Sequence, residues 1–381
     1  MSVWDSLVGQ EHVVAELTSA MATPGAMTHA WLFTGPPGSG RSVAATAFAA
    51  ALQCTAEPAG CGSCEACRTV LAGTHPDVTR VATDKVVIAM EEVRGLIQVA
   101  QRAPSQGRWR VIVVEDADRM LERTSNVLLK SIEEPPERTL WLLCAPSIED
   151  IIMTIRSRCR HVGLRIPPAQ TVADLLVARD GVDPEVALGA ARAAQSHVGM
   201  ARRLARDDEA RTRRQRILAL PLQVRSVSDA VNAAGTLVEL AKDDAQAATA
   251  ERDRLEREKL LRDLGVDDGT TRMPPAVRAR LRQLEDDQKR RATRYQRDVL
   301  DRTMVDLLSL YRDVVVTQVK ADIPLVNEDL ADQITRLAGQ TDLKGSVERM
   351  EAIEVARRRL GANVAPLLAV EAMTLALRPQ A

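Results

Sequence analysis

Four stretches of this 381-residue chain hold side chains whose types and spacing can do chemistry. In Gly35-Pro36-Pro37-Gly38-Ser39-Gly40-Arg41-Ser42, the glycines at 35, 38 and 40 let backbone N–H groups wrap a polyphosphate without Cβ clashes. A helix that starts directly after the loop adds its positive end. Ser42 stands where a hydroxyl can ligate Mg²⁺, so ATP or ADP with Mg²⁺ is the ligand this loop suits. Arg41 replaces the motif's lysine. It keeps the charge, but its planar fork suits holding a phosphate better than transferring one.

The second stretch is Glu115-Asp116, after the apolar run Val111 to Val114. Phosphate-loop NTPases place an aspartate there for the Mg²⁺ shell and then an acid that positions water. Here the order is reversed. Glu115 is one methylene too long for the metal role and Asp116 one too short for the base role. The other reading is an acid pair that caps the next helix. The third stretch, Cys54-x6-Cys61-x2-Cys64-x2-Cys67, offers four thiolates for a tetrahedral structural Zn²⁺ with no open position for catalysis. Unmetallated thiols are the alternative. Cys144 and Cys159 are isolated and read as packing residues. The fourth, Ser157-Arg158-Cys159, lies among alternating Arg156, Arg158 and Arg160, which by composition alone pass equally for a solvated basic turn.

These residues need elements to position them. Ala30 to Phe33 reads as a strand, the Ala-rich Val43 to Leu52 as a helix, and Val111 to Val114 and Leu140 to Cys144 as strands buried in a parallel sheet. Val86 to Ile88 has strand character, Met90 to Arg102 and Thr124 to Glu133 read as helices, and Pro135-Pro136 stops the second. The stretch from Ile148 to Arg156 leads from the last strand into a helix. The expected fold is a three-layer α/β domain over residues 1–168, with its ligand crevice at the carboxyl ends of the strands. An all-helical lid (169–210) and an all-helical C-terminal domain (211–381) follow. From Gly199 a basic helix continues through Arg202, Arg206, Arg211, Arg213, Arg214 and Arg216, facing either phosphates or, the reading favoured by composition, water. Residues 242–298 are dense in Arg, Glu and Asp and read as a helical hairpin or coiled-coil excursion, with partial disorder the competing reading.

Composition excludes several classes. A formal net charge of -1 leaves no global field toward nucleic acid, and 2% aromatics leave little capacity for base stacking. The N-terminus lacks a signal-peptide pattern, and no apolar run approaches the roughly 18 residues that span a bilayer. The expectation is a soluble cytoplasmic protein with no membrane partner and with cysteines that are reduced or metal-bound.

Taken together, the motifs resemble the clamp-loader branch of the AAA+ ATPases, the bacterial DNA polymerase III clamp-loader subunits, closely over residues 3–205 and loosely over 299–381. Val8-Gly9-Gln10-Glu11-His12 looks like the family's N-terminal box near the adenine. Leu128-Leu129-Lys130-Ser131-Ile132-Glu133-Glu134-Pro135-Pro136 is close to its Leu-Leu-Lys-x-Leu-Glu-Glu-Pro-Pro signature. The cysteine module follows the loop helix, as the family's zinc module does. Ser157-Arg158-Cys159 matches the Ser-Arg-Cys motif, in which the resemblance implies that Arg158 reaches a neighbouring subunit's ATP. Arg202 matches the sensor arginine of the lid. Near Ala145-Pro146-Ser147 the threonine of the first sensor is not evident.

Within the family, an intact zinc module and Ser-Arg-Cys beside degraded nucleotide chemistry resemble the delta prime kind of subunit. The resemblance implies a hetero-pentamer with gamma/tau and delta subunits, a sliding clamp as cargo, and backbone contact with primer-template DNA. The C-terminal helices would then form the collar of the ring. The alternatives are a working gamma/tau-like ATPase and an AAA+ DNA-repair or transposition regulator. The 242–298 excursion has no counterpart in the usual family pattern.

Overall fold

A computed structural model describes residues 2–23, 25–83, 87–264, 274–362 and 364–378. The chain divides into two compact units, Met1–Arg206 and Asp207–Ala381.

The first unit is built on five parallel strands, β1 (Ala30–Thr34), β2 (Val78–Val81), β3 (Arg110–Val114), β4 (Thr139–Ala145) and β5 (Arg160–Gly163), in the order β2-β3-β4-β1-β5. Successive side chains of a strand point to opposite faces. Trp31 and Phe33 of β1, Val111 and Val113 of β3, and Leu140, Leu142 and Cys144 of β4 share a core with α1 (Glu11–Ala22), α2 (Arg41–Gln53) and α3 (Glu65–Leu71). Leu32, Ile112, Val114, Trp141 and Leu143 share the other with α4 (Met90–Ala100), α5 (Glu122–Glu133) and α6 (Met153–Arg156). With both faces covered, β1, β3 and β4 are buried at every position, which is why they read as unbroken apolar runs.

The two edge strands correct the sequence reading. No strand was expected at Val78–Val81, and β5 follows α6, so β4 is not the last strand. Each edge strand pairs along one side only and is partly exposed, so it carries polar residues (Thr79, Arg80, Arg160, His161) and lacks the apolar signature. Of the expected strand at Val86 to Ile88, Val86 lies outside the described residues, and Ile88 makes an isolated parallel bridge to Met120.

Side chains from distant segments fix the turn that feeds β3. The buried Asp77 carboxylate accepts from the backbone N–H groups of Ser105, Gln106 and Gly107 (2.7 Å each) and from Ser105 Oγ (2.9 Å). It also pairs with Arg110 at 2.9 Å. Burial raises its pKa, but the donors from Gly107, Ser105 and Gln106 outweigh that and hold it at about 2. The Gln53 amide, at the end of α2, accepts from Arg108 N–H (2.8 Å).

After the sheet come α7 (Ala169–Asp180), α8 (Pro184–Ala193) and α9 (Val198–Arg206), still within the first unit. The basic helix that opens at Gly199 stops at Arg206. Asp207 caps a new helix, α10 (Asp208–Gln223), by accepting from Ala210 N–H at 3.0 Å, which corrects the expectation of one continuous helix.

The second unit is helical throughout its described residues: α10, α11 (Val227–Asp263), α12 (Pro275–Gln318), α13 (Ala331–Gln340), α14 (Leu343–Gly361) and α15 (Pro366–Leu377). Its core joins Leu237 of α11, Leu300, Met304, Leu307 and Tyr311 of α12, Ile353 and Leu360 of α14, and Val370 and Met373 of α15. Beyond it α11 and α12 run on as an antiparallel hairpin. Arg291 pairs with Glu256 at 2.8 Å, Arg257 with Glu285 at 3.4 Å, and Leu261, Val277 and Leu281 form a small cluster near the tip. The connecting residues 265–273, with Gly265 and Gly269, lie outside the described residues.

Arg214 is neither a phosphate ligand nor a solvated residue here. It is buried, with Nε donating to Asp306 Oδ1 (2.9 Å) and Nη2 to Asn327 Oδ1 (2.6 Å). Asn327 Nδ2 in turn donates to Asp313 Oδ2 (2.9 Å), whose carboxylate also accepts from the N–H groups of Val326 and Asn327. The network closes the 321–330 connection onto α12, a demand that helical spacing does not reveal.

Candidate nucleotide site and metal centre

The phosphate loop leaves the carboxyl end of β1 and enters α2 through Gly40, whose φ of 92° is left-handed backbone that suits glycine. Two neighbours hold the loop. The amide of Gln10, almost wholly buried, donates to Ser39 O (3.3 Å) and Arg165 O (2.6 Å) and accepts from Arg165 N–H (3.2 Å), tying the loop to the chain that follows β5. On the lid side, a Cβ added at Gly38 would meet His197 Cβ at 2.8 Å and Cα at 2.9 Å, so only glycine fits beneath the residue that leads into α9. Neither neighbour stands out by residue type; in the sequence Gln10 is only part of an N-terminal box.

Within the loop, Arg41 turns back. Its Nη1 donates to Gly35 O at 2.6 Å. Burial lowers its pKa, opposed by the fields of Cys144 and of the acids Asp118, Asp116 and Asp150. The loop's own cation thus satisfies a backbone carbonyl of the loop. Ser42 is the second residue of α2, where its carbonyl accepts from Thr46 Oγ1 (2.7 Å). Ser39 Oγ is buried with no hydrogen-bond partner among the described residues. A cavity of about 600 Å³ opens along Val8, Gly9, Glu11, Thr171 and Leu175, between the N-terminal box and α7.

The two acids after β3 are engaged locally. Glu115 Oε1 receives Arg80 Nη2 of β2 at 2.8 Å, and Asp116 lies 3.7 Å from Arg119. Arg80 is 35 residues from Glu115, and only the pairing of β2 with β3 makes them neighbours. After β4, Ser147 Oγ bonds Glu149 and Ser147 N–H donates to Asp150 (3.0 Å). Arg202 points to Asp180 (2.8 Å), a carboxylate that Arg179 and Arg206 also approach.

Of the three alternating arginines, Arg160 and Arg158 separate by role. Arg160 lies over the Trp31 ring at 4.8 Å and pairs with Glu16 at 3.0 Å. Arg158, just past α6, is 39% exposed along its side chain. Its Nη1 donates to Thr154 O (2.8 Å) and Ser157 Oγ (3.2 Å), and its Nε lies 2.6 Å from Glu133 Oε1.

Cys54, Cys61, Cys64 and Cys67 converge, with all four sulfurs within 4.8 Å of one another. A Zn²⁺ bound tetrahedrally at about 2.3 Å needs sulfurs about 3.8 Å apart, and Cys64 Sγ lies 3.9 Å from Cys54 Sγ. The set fits a metal ion. Backbone N–H groups aim at the sulfurs, from Cys64 to Cys61 Sγ (3.3 Å) and from Cys67 to Cys64 Sγ (3.4 Å). Donation from Cys64 N–H and from Ser63 lowers the Cys61 thiol to about 6, while burial pushes Cys67 up. The N-terminus braces the module, with Val3 N–H and Ser2 Oγ donating to Gly60 O at 2.9 Å each. Cys144 is fully buried in β4, and Cys159 packs against the second core.

A parallel sheet of this order, with a glycine-rich loop between β1 and a helix and an acid pair after β3, followed by three helices, defines an α/β domain of the phosphate-loop type. Residues 9–168 match the family described as "DNA polymerase III, delta subunit". The gamma/tau subunits of Mycobacterium bovis and Mycobacterium tuberculosis are 36% identical over 173 residues, 45% of this chain and 30% of theirs. The Escherichia coli tau subunit is 34% identical over 164 residues, 42% of this chain and 25% of that one. The matched region thus spans less than a third of these relatives. A DNA polymerase III gamma subunit-related protein of Thermotoga maritima aligns over 96% of this chain and 98% of its own, at 16% identity and a TM-score of 0.41. These sequence matches fall on the α/β part of the first unit. Among the described residues, no helix is long and apolar enough to cross a membrane.

Proposed function

We propose that this chain is a delta prime-like clamp-loader subunit. It takes its place beside gamma/tau and delta subunits in a five-membered complex that puts a sliding clamp on primed DNA, meeting the DNA through backbone phosphates. Arg158 acts there as an arginine finger on the ATP of a neighbouring subunit, and the chain's own loop hydrolyses little or no ATP. Cys54, Cys61, Cys64 and Cys67 hold a structural Zn²⁺. Gly35, Gly38, Gly40, Arg41, Ser42, Glu115, Asp116 and Arg202 are the remnant of a nucleotide site that retains phosphate-binding backbone. The lid, residues 169–210, and a helical collar, 211–381 with the 242–298 hairpin, complete the subunit.

One contrast carries this reading. Arg41 spends its guanidinium on the loop's own Gly35 carbonyl, whereas Arg158 stands at the surface with one nitrogen uncommitted among the described residues. The test is the ATPase of the assembled complex. Arg158→Ala lowers it by about 10³-fold, the scale of an arginine finger, while the purified chain alone turns over no ATP. Unchanged complex activity defeats the finger assignment.

The second reading, a working gamma/tau-like ATPase, is favoured by the gamma/tau subunits that match residues of the first unit at 34–36% identity. It requires turnover by the chain alone of about 1 per second or faster, abolished by Ser42→Ala.

A further inference from the structure

We infer that Glu133 is a positioning residue for the Arg158 guanidinium, anchoring it by an ion pair while Nη2 stays available to an anion. The inference rests on the reading of Arg158 as a finger that acts on a neighbour's nucleotide.

A guanidinium has five N–H donors in a fixed plane. The two of Nη1 serve Thr154 O and Ser157 Oγ, and an ion pair brings Glu133 Oε1 to 2.6 Å from Nε. Both donors of Nη2 have no partner among the described residues. Two hydrogen bonds and one ion pair therefore hold the guanidinium and leave Nη2 for an anion from outside. Thr154 and Ser157 sit in the same short segment as Arg158 and move with it. Among the described residues, Glu133 alone anchors the guanidinium to a different element, α5, which packs on the sheet through Leu128 and Ile132.

The placement of Glu133 is costly on local grounds. It occupies the last turn of α5, whose C-terminal end carries negative partial charge and disfavours a carboxylate. Pro135-Pro136 ends the helix just beyond and fixes where that turn points. A cation across from Glu133 offsets the local cost, and Arg158 is that cation. An exposed ion pair of this kind contributes little to stability, so its effect is on where the fork points. A finger that must otherwise order its long side chain on contact works from a preset rotamer.

The experiment uses the assembled complex with the chain as wild type, Glu133→Gln, Arg158→Ala and the double variant, measuring kcat and KM for ATP and each chain's thermal midpoint. Glu133→Gln is expected to lower kcat about tenfold, roughly 1.4 kcal/mol, with KM and the midpoint unchanged. Glu133→Asp, with the charge kept on a shorter arm, is expected to recover part of the loss. The double variant should equal Arg158→Ala alone, because positioning has no object once the finger is gone. If Arg158→Ala cripples the complex and Glu133→Gln does not, the positioning inference is wrong and the finger reading stands. A Glu133→Gln complex faster than wild type also overturns it, since the carboxylate would then restrain the finger. If Arg158→Ala is silent, the finger reading fails and this inference with it.

Discussion

Replacing Asp77 with Asn tests the account of how β3 and its acid pair are positioned. The side chain is fully buried, accepts four hydrogen bonds from the 105–107 turn and pairs with Arg110. An amide keeps the shape but turns one acceptor into a donor, facing either the Ser105 donors or the N–H groups of Gln106 and Gly107. At about 1–3 kcal/mol per buried group left unsatisfied, and with Arg110 losing its charge partner, the loss is about 3–5 kcal/mol. All four tryptophans (Trp4, Trp31, Trp109 and Trp141) lie in the first unit, so tryptophan fluorescence during denaturant unfolding reports that unit selectively. The pH dependence carries a sign. The folded-state pKa of about 2 lies below the ordinary 3.8, so the carboxylate's contribution is fully present above about pH 4. It is lost as pH falls through 4 toward 2, by roughly 2 kcal/mol. Asp77→Asn removes that slope. Parallel loss of stability by wild type and variant across pH 4 to 2, or a variant as stable as wild type at pH 7, would refute the reasoning.

Three further outcomes are expected. Cys64→Ser lowers bound zinc well below about one equivalent per chain by atomic absorption and raises protease sensitivity around residues 54–67; retention of a full equivalent contradicts a four-thiolate site. Arg41→Lys frees the Gly35 carbonyl and strengthens binding of a fluorescent ATP analogue by up to about tenfold. It restores no turnover, because Glu115 stays tied to Arg80, and rapid hydrolysis by this variant speaks against a degenerate site. Arg214→Leu leaves Asp306 buried without its cation and costs the second unit about 3–5 kcal/mol, read as faster amide exchange over residues 321–330. Burial raises the Asp306 pKa, so the penalty shrinks as pH falls and the acid neutralises.

Several features were legible because their causes are local. Glycines at 35, 38 and 40 mark a backbone that must approach a ligand or a neighbour closely, and the His197 contact at Gly38 is one such approach. Four cysteines within fourteen residues can close on one ion without help from the rest of the fold. The runs Ala30 to Phe33, Val111 to Val114 and Leu140 to Cys144 announce central strands because burial on both faces admits only apolar residues. By the same reasoning β2 and β5 were missed, since an edge strand is allowed its polar residues.

What only the tertiary structure decided is which charges meet. By type, Arg41, Arg158, Arg202 and Arg214 are the same side chain; motif spacing points Arg41 to phosphate, composition points Arg214 to water, and only the family resemblance points Arg158 to a neighbour and Arg202 to a nucleotide. The fold sends Arg41 to a carbonyl of its own loop, Arg202 to Asp180, Arg214 into a buried network with Asp306 and Asn327, and Arg158 to the surface against Glu133. A guanidinium on a flexible stem takes the nearest carboxylate or carbonyl, and those partners stand 6 to 113 residues away in sequence. Such long-range pairing leaves no periodic trace in the chain, so the sequence determined that a phosphate loop and a thiolate cluster exist, and the packing of distant elements determined how their charges are used.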